Sequence, residues 1–444
     1  MTALAETIAH YTQAHVQMQR VLAGSDAVKA LRTEALEAFS ELGFPTTAHE
    51  DWKYTSLRSV EREAFQPAAA VPDIDIGELP LLPFKDADDT VRLVFVNGRF
   101  APSLSHDGDH PGVHIGSLAH AIDQQQDRLA LLGSAADLRA NGLVALNTAF
   151  LKDGAAITLE DGVTLERPVY LVFVSVAQPA GVLVQPRVFL SAGRNASACV
   201  LEHFVGLGEA SNFTNAVGEY LLGDGARITH LKLQEDAPGS THVQSINAKV
   251  ARDATFESHN LQIGGRIART DINVKLAATG AATRMNGLFF PAAGQHIDTH
   301  TRVDHLEPHT RSDEDYRGVL ADNGRGVFNG KVVVHAQAQK VEAHQSSRNL
   351  LLSEKAEIDT KPELEIYADD VICSHGATVG QLDEQALFYL RSRGLDEQLA
   401  HEVLTFAFAR DLIEQIDIEP LRQRVARAVL KRLGADNRLE EILT

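Results

Sequence analysis

From Val91 to about Val379 the chain consists of short β-branched and aliphatic runs separated by Gly, Asn and Asp. These runs are Val91–Val96, Pro168–Val176, Arg187–Leu190, Ala198–Phe204, Ile228–Leu233, Lys331–Ala336, Leu350–Leu352 and Leu364–Tyr367. Some alternate with period two: Val332, Val334 and Ala336 share an apolar face, while Val333, His335 and Gln337 form a mixed one. Helical signals are rare here, the clearest lying around Ala119–Leu132. So many strands without intervening helices argue against a doubly wound sheet and for a sandwich, barrel, propeller or solenoid. In the later half the apolar clusters recur at irregular intervals on the scale of stacked rungs. That favours a solenoid, but no strict repeat is visible and the residues alone leave a sandwich open.

The flanks differ. Asp26 reads as an N-cap, Val28, Leu31, Ala35, Phe39 and Leu42 recur at helical spacing, and Gly43 stops the helix. Residues 66–90 are rich in Pro, Ala and Asp and read as a linker or irregular connection. After Asp383 the pattern turns helical again. Gly394 ends a short helix and Asp396 caps the next, which carries Leu399, Val403, Phe406 and Ile413 near one face, widened by Leu404 and Phe408. Pro420 breaks the chain before a last helix marked by Leu421, Val425, Val429 and Leu433. These helices either cap a solenoid end or present a docking surface.

With 444 residues the chain exceeds one ordinary compact domain, and two or three folding units are expected. Its net charge of −19 repels a phosphate backbone, which argues against nucleic acid as a partner. Met1–Leu22 lacks the basic start and apolar run of a secretion signal, and Val169–Ala177 is too short to span a bilayer. A soluble protein that is not exported by the usual route, in a reducing cytoplasmic compartment, is expected. Only Cys199 and Cys373 carry thiols. An iron–sulfur cluster normally takes four ligands, mostly thiolates, and two distant cysteines cannot hold one alone, so any cluster here must borrow ligands from elsewhere.

Two constellations could carry chemistry. Cys373 and His375 are two apart and on a strand would point the same way, able to share a soft metal or to pair as nucleophile and base. The plain alternative is a small buried cysteine beside a hydrogen-bonded histidine. His296, Asp298 and His300 would likewise share a strand face, with His305 and His309 following. Arg302 and Arg311 lie among them, which favours a polar ladder over a metal site. Trp52, the single tryptophan, is placed to anchor the helical flank on the strand region. Gly326–Val332 resembles a P-loop only superficially, because its glycines are one residue too close and Val332 replaces the magnesium-binding hydroxyl. No ATP is therefore expected on this chain. Gly206-Leu207-Gly208 lacks its third glycine at Ser211, and there is no Gly-x-Ser-x-Gly elbow or Cys-x-x-Cys. Asp369 and Asp370 could suggest a polysaccharide-acting β-helix enzyme, but adjacent strand residues face opposite sides.

Thr360-Lys361-Pro362-Glu363-Leu364-Glu365-Ile366-Tyr367, running into Asp369–Gly380, closely resembles the signature of the SufB/SufD family. So do Gly287-Leu288-Phe289-Phe290, Gly326-Val327-Phe328-Asn329-Gly330-Lys331 and Arg348-Asn349-Leu350-Leu351-Leu352-Ser353, while Glu50–Thr55 is similar to the Trp-Lys-Tyr element of the SufD branch. Ala356 stands where the SufB branch carries its sulfur-accepting cysteine, and His375-Gly376 where that branch tends to show His-Glu. The resemblance implies a right-handed parallel β-helix over 91–380, a helical region with linker over 1–90 and an ATPase-docking helical region over 381–444. It implies a non-catalytic scaffold that pairs with a SufB-like paralogue through the β-helices and docks a SufC-like ATPase through Leu399, Val403, Phe406 and Phe408. His375, then Cys373, become the candidate ligands of iron or a transient iron–sulfur cluster at the shared interface. The resemblance leaves room for a reduced flavin in the complex, for a homodimer of the chain alone, and for a purely structural partner with no ligands of its own.

Overall fold

The computed structural model describes residues 3–433 apart from 20–21, 23, 64, 69–71, 85–88, 107, 109, 179–180 and 209–210, so parts of the predicted linker lie outside the described residues. Among the described residues, eight α-helices flank or punctuate the strands: α1 Ala3–Gln19, α2 Asp26–Leu42, α3 Arg58–Arg62, α4 Leu118–Gln124, α5 Gly142–Ala149, α6 Glu384–Ser392, α7 Glu397–Ile413 and α8 Glu419–Arg432.

The strands settle the choice between sandwich and solenoid. From Asn212–Leu222 to Arg325–Val334 each strand pairs in parallel with the strand two elements before it and two after, so the chain alternates between two long sheets and winds into a β-solenoid of about 7 turns. One sheet runs from Val113–Ser117 to Glu357–Ile366, the other from Arg99–Phe100 and Val91–Val96 to Val371–Gly380. Antiparallel pairs among these strands occur only at the first end, between Val113–Ser117 and Gly154–Leu159 and between Phe95–Val96 and Arg99–Phe100. Residue 227 stacks on 255, 255 on 282, 282 on 311, 311 on 342 and 342 on 372, so successive turns take 28, 27, 29, 31 and 30 residues. That drift is why no strict repeat shows in the sequence. Corners stack as tightly as strands: at Gly225 (φ 69°) a Cβ would lie 2.1 Å from Asn195 Oδ1, so the turn tolerates only glycine.

Alternate residues fill the interior. Phe95, Phe173 and Phe204 stack across three turns with centroids 5.2 and 4.8 Å apart. Deeper along the axis the filling turns polar. Glu202 accepts from Tyr220 and, at 2.5 Å, from Gln244, while the wholly buried Lys232 donates to Thr270 at 2.6 Å. Burial lowers the Lys232 ammonium to about 7, and nearby Glu202, Asp236 and Asp271 only partly oppose this.

The flanks differ from expectation in two respects. Ser25, not Asp26, caps α2, because its hydroxyl accepts from the Val28 amide while Asp26 is already the first helical residue. The carboxy-terminal helices do not cap the solenoid end. Phe406, Ala409 and Ile413 of α7 and Leu421, Val425 and Val429 of α8 pack with Leu201, Leu231, Leu261, Leu288 and Val319 on the outer face of the second sheet. The irregular connection is not free either: Leu79 and Leu82 join this layer, and the Leu82 amide donates to Tyr170 Oη at 3.1 Å.

Candidate functional site at the open end of the solenoid

Val371–Gly380 is paired only with Val341–Leu351, and Glu357–Ile366 only with Arg325–Val334. Among the described residues nothing pairs with either outer edge, so both present backbone N–H and C=O groups. Around them stand exposed apolar side chains, with Ile372 67% and Tyr367 63% accessible, and Ile366 and Val379 also exposed. Cys373 registers on Ala343 and His375 on Gln345, so the two side chains do share a face, as their spacing requires. Cys373 is half-buried against the interior cluster and His375 is exposed at the rim. Burial raises the Cys373 thiol above its ordinary value, opposed in part by a backbone hydrogen bond with Ala343. This is the opposite of an activated nucleophile. Ser374 points outward and meets His344 Nδ1 at 2.8 Å. Asp369 and Asp370 occupy the corner before the strand, where Asp370 pairs with Lys340, so they form no acid pair.

The second constellation is a latch. Thr55 Oγ1 donates to Asp298 Oδ2 at 2.5 Å and lies 2.7 Å from His296 Nε2. Arg269 donates to Asp298 Oδ2 at 2.8 Å and to the Asp51 carbonyl at 2.7 Å, and its guanidinium lies 3.8 Å above the Trp52 ring. His300 Nε2 is 3.1 Å from Asp298 Oδ1. Burial alone would raise the Asp298 carboxyl, but His300, Arg269 and the Thr55 hydroxyl together hold it well below the usual carboxylate range. A cation already occupies the place a metal would take. His305 turns inward to Thr310 and Ser312, and His309 sits at a corner with φ 59°. Among the described residues no three His, Cys, Asp or Glu side chains gather into a metal-holding group. The latch explains Trp52: it is buried and joins the amino-terminal region to the solenoid. Thr55 and Arg269 were not singled out in the sequence, because 243 and 29 residues separate them from Asp298.

Family comparison bears directly on this architecture. A model of the SufBD protein N-terminal region matches residues 1–171, and one of the SUF system FeS cluster assembly SufBD core domain matches residues 173–408. The chain belongs to the SufBD family. It is 34% identical over 400 residues to the iron–sulfur cluster assembly protein SufD of Escherichia coli, covering 90% of this chain and 91% of that protein. It is 32% identical over 409 residues to a SufBD family protein of Synechocystis, covering 90% and 89%. A SufD of Bacillus subtilis matches at 24%, covering 91% and 94%.

The SufBD core match ends at Phe408, within α7, whose Leu399, Val403, Phe406, Phe408 and Ile413 join one apolar layer on the second sheet. Phe406 is buried on the solenoid. Phe408 is half-buried under the Arg317 guanidinium, whose Nη1 donates to the Phe408 carbonyl and lies 3.1 Å from Asp411 Oδ2. Leu399 and Val403 are half-buried at the margin of the same cluster. What faces outward is α6, none of whose residues is buried, with Phe388 74% and Tyr389 57% accessible. Two adjacent aromatics in a nine-residue helix without a buried stripe were the available signal. Among the described residues no helix is long and apolar enough to cross a membrane.

Proposed function

We propose that this chain is a non-catalytic scaffold subunit for iron–sulfur cluster assembly, whose open rung is completed by a SufB-like paralogue. His375 and Cys373 serve as its contribution to a shared iron or nascent-cluster site, with the cluster as cargo. One observation carries the reading: two unpaired strand edges and four exposed apolar side chains surround the only Cys-x-His pair, in a family whose relatives are named for iron–sulfur cluster assembly. One thiol and one imidazole leave most of a cluster's coordination to the other chain. The same rung offers an isologous face to a second copy of itself when the paralogue is absent. A SufC-like ATPase docks on the carboxy-terminal helices, with Phe388 and Tyr389 as its contacts, Leu399 and Val403 at the margin, and Phe406 and Phe408 supporting them from below. ATP hydrolysis there shifts the rung interface between closed and open states, admitting iron and sulfur. The reduced flavin that the resemblance leaves room for would bind the assembled complex. The competing reading, a structural partner without ligands, draws on the raised Cys373 thiol.

The test is cluster formation in the reconstituted three-protein complex. His375→Ala should reduce the initial rate of cluster formation, followed by absorbance, more than tenfold while the complex keeps its mass. A normal rate would assign the chain the purely structural role. The docking face has its own test. Phe388→Glu with Tyr389→Glu should weaken ATPase binding at least tenfold in calorimetry with no change in melting temperature, since both side chains are exposed. Phe406→Glu should instead lower the melting temperature by several degrees, because it places a charge in the packed layer. Unchanged affinity in the double variant would move the docking surface elsewhere.

A further inference from the structure

Directly beneath His375, one rung in, lies Gln345, and their strands are in register, with both side chains on the inner face. Gln345 is 4% accessible, and its Nε2 donates to Glu314 Oε1 at 3.3 Å on the next rung down. Glu314 is itself fixed, because its Oε2 accepts from Thr301 Oγ1 at 2.6 Å across the interior. The amide nitrogen is therefore committed inward, and Gln345 Oε1 is left buried without a hydrogen-bond partner. A buried carbonyl without a donor is costly, and such an atom calls for an explanation. The sheet opposite makes room for this arrangement: a Cβ at Gly330 would lie 2.1 Å from Gln345 Nε2, so the glycine of the Gly326–Lys331 motif leaves the space the amide occupies.

We propose that Gln345 is the positioning residue of His375: its Oε1 accepts the N–H of one imidazole nitrogen, fixing the tautomer and turning the other nitrogen out of the rung toward the ligand shared with the partner chain. The strands stand one rung apart, about 4.8 Å, so a turn of the exposed His375 side chain, which makes no such contact in the structure, brings its ring to Gln345 Oε1. Histidines that hold metals characteristically donate their second nitrogen in this way, and loss of the acceptor weakens metal binding about 10- to 100-fold. Thr301 and Glu314 act through Gln345 and touch no ligand. The inference rests on the reading of His375 as a ligand, but the hydrogen bond can be seen without one.

Two readouts separate the claims. In the metal-free chain, nitrogen NMR of ¹⁵N-histidine-labelled protein should show His375 in one neutral tautomer. Gln345→Met, which keeps the length and removes the acceptor, should give a mixture of tautomers. The swap Glu314→Gln with Gln345→Glu restores an acceptor at 345 and a donor at 314, and should restore the single tautomer. In the complex with the paralogue, Co²⁺ affinity followed by its visible absorption should fall about tenfold in Gln345→Met and recover in the swap. Should the methionine variant not fold, Thr301→Val frees Glu314 without touching Gln345 and should broaden the tautomer balance. A single tautomer unchanged in a folded Gln345→Met chain overturns the proposal. A tautomer change in Gln345→Met with Co²⁺ affinity unchanged both there and in His375→Ala upholds the hydrogen bond and removes the ligand reading instead.

Discussion

Arg269→Met is expected to lower the stability of the folded chain by about 3–5 kcal/mol, the range for breaking a buried ion pair by removing one partner. Arg269 is 1% accessible and Asp298 is wholly buried. The guanidinium meets Asp298, Asp271 and the Asp51 carbonyl while lying over the Trp52 ring. Methionine approximates the volume but leaves Asp298 without its cation and Trp52 without its cover. Arg269→Lys should recover only part of the loss, because an ammonium cannot fork to two carboxylates and stack at once. Urea unfolding measures the loss, and limited proteolysis around residues 43–58 should show the amino-terminal region released first. A change below about 1 kcal/mol would mean that Trp52 alone holds the junction. The same latch sets an acid limit. The folded Asp298 carboxyl titrates well below its unfolded value near 4, so its contribution is present above that value and is lost as the pH falls toward the folded one.

Glu314→Gln should act in the opposite direction and depend on pH. Burial raises the Glu314 carboxyl to about 7, with the Thr301 and Gln345 hydrogen bonds pulling it back only in part. From the usual 4.5 to about 7 the folded state holds its proton more tightly than the unfolded chain, so stability is fully present below 4.5 and declines as pH rises through 7. The deficit above 7 comes to about 3 kcal/mol at about 1.4 kcal/mol per pH unit. The amide carries no charge and keeps the size, so the variant should match the parent near pH 4 and exceed it by up to about 3 kcal/mol at pH 8. Denaturant unfolding at pH 5, 6.5 and 8 gives the comparison. A gain that does not grow with pH would show that the Glu314 carboxyl ionises in the folded protein at its ordinary value.

Both sites show where the sequence is legible and where it is not. Strand parity is local, so the shared face of Cys373 and His375 could be read from their spacing, as could the apolar inner faces of the rungs. Stacking is not local. Gln345 stands thirty residues from His375, and because turns vary from 27 to 31 residues, no fixed offset reveals the column. The His296–His300 stretch could be read as a polar ladder from its neighbouring arginines, but its partners Thr55 and Arg269 could not, because they come from other parts of the chain. In α7 apolar residues occur nearly all round the helix, so the sequence could not say that Phe406 faces the solenoid while Phe388 on α6 faces out. That depends on which side the second sheet covers. The family signature reached the fold by a different route, without resolving any of these contacts.

The two ends of the coil are unequal. Where it begins, strands turn back on themselves at Arg99–Phe100 and Val113–Ser117. Where it finishes, both sheets simply stop among the described residues. A rod sticky at both tips would grow head to tail into a fibre. One with a blunt tip can only meet another tip to tip and then has nowhere left to add. Under the pairing proposed above, growth ends at two because of the winding itself, before any side chain at the meeting plane is considered.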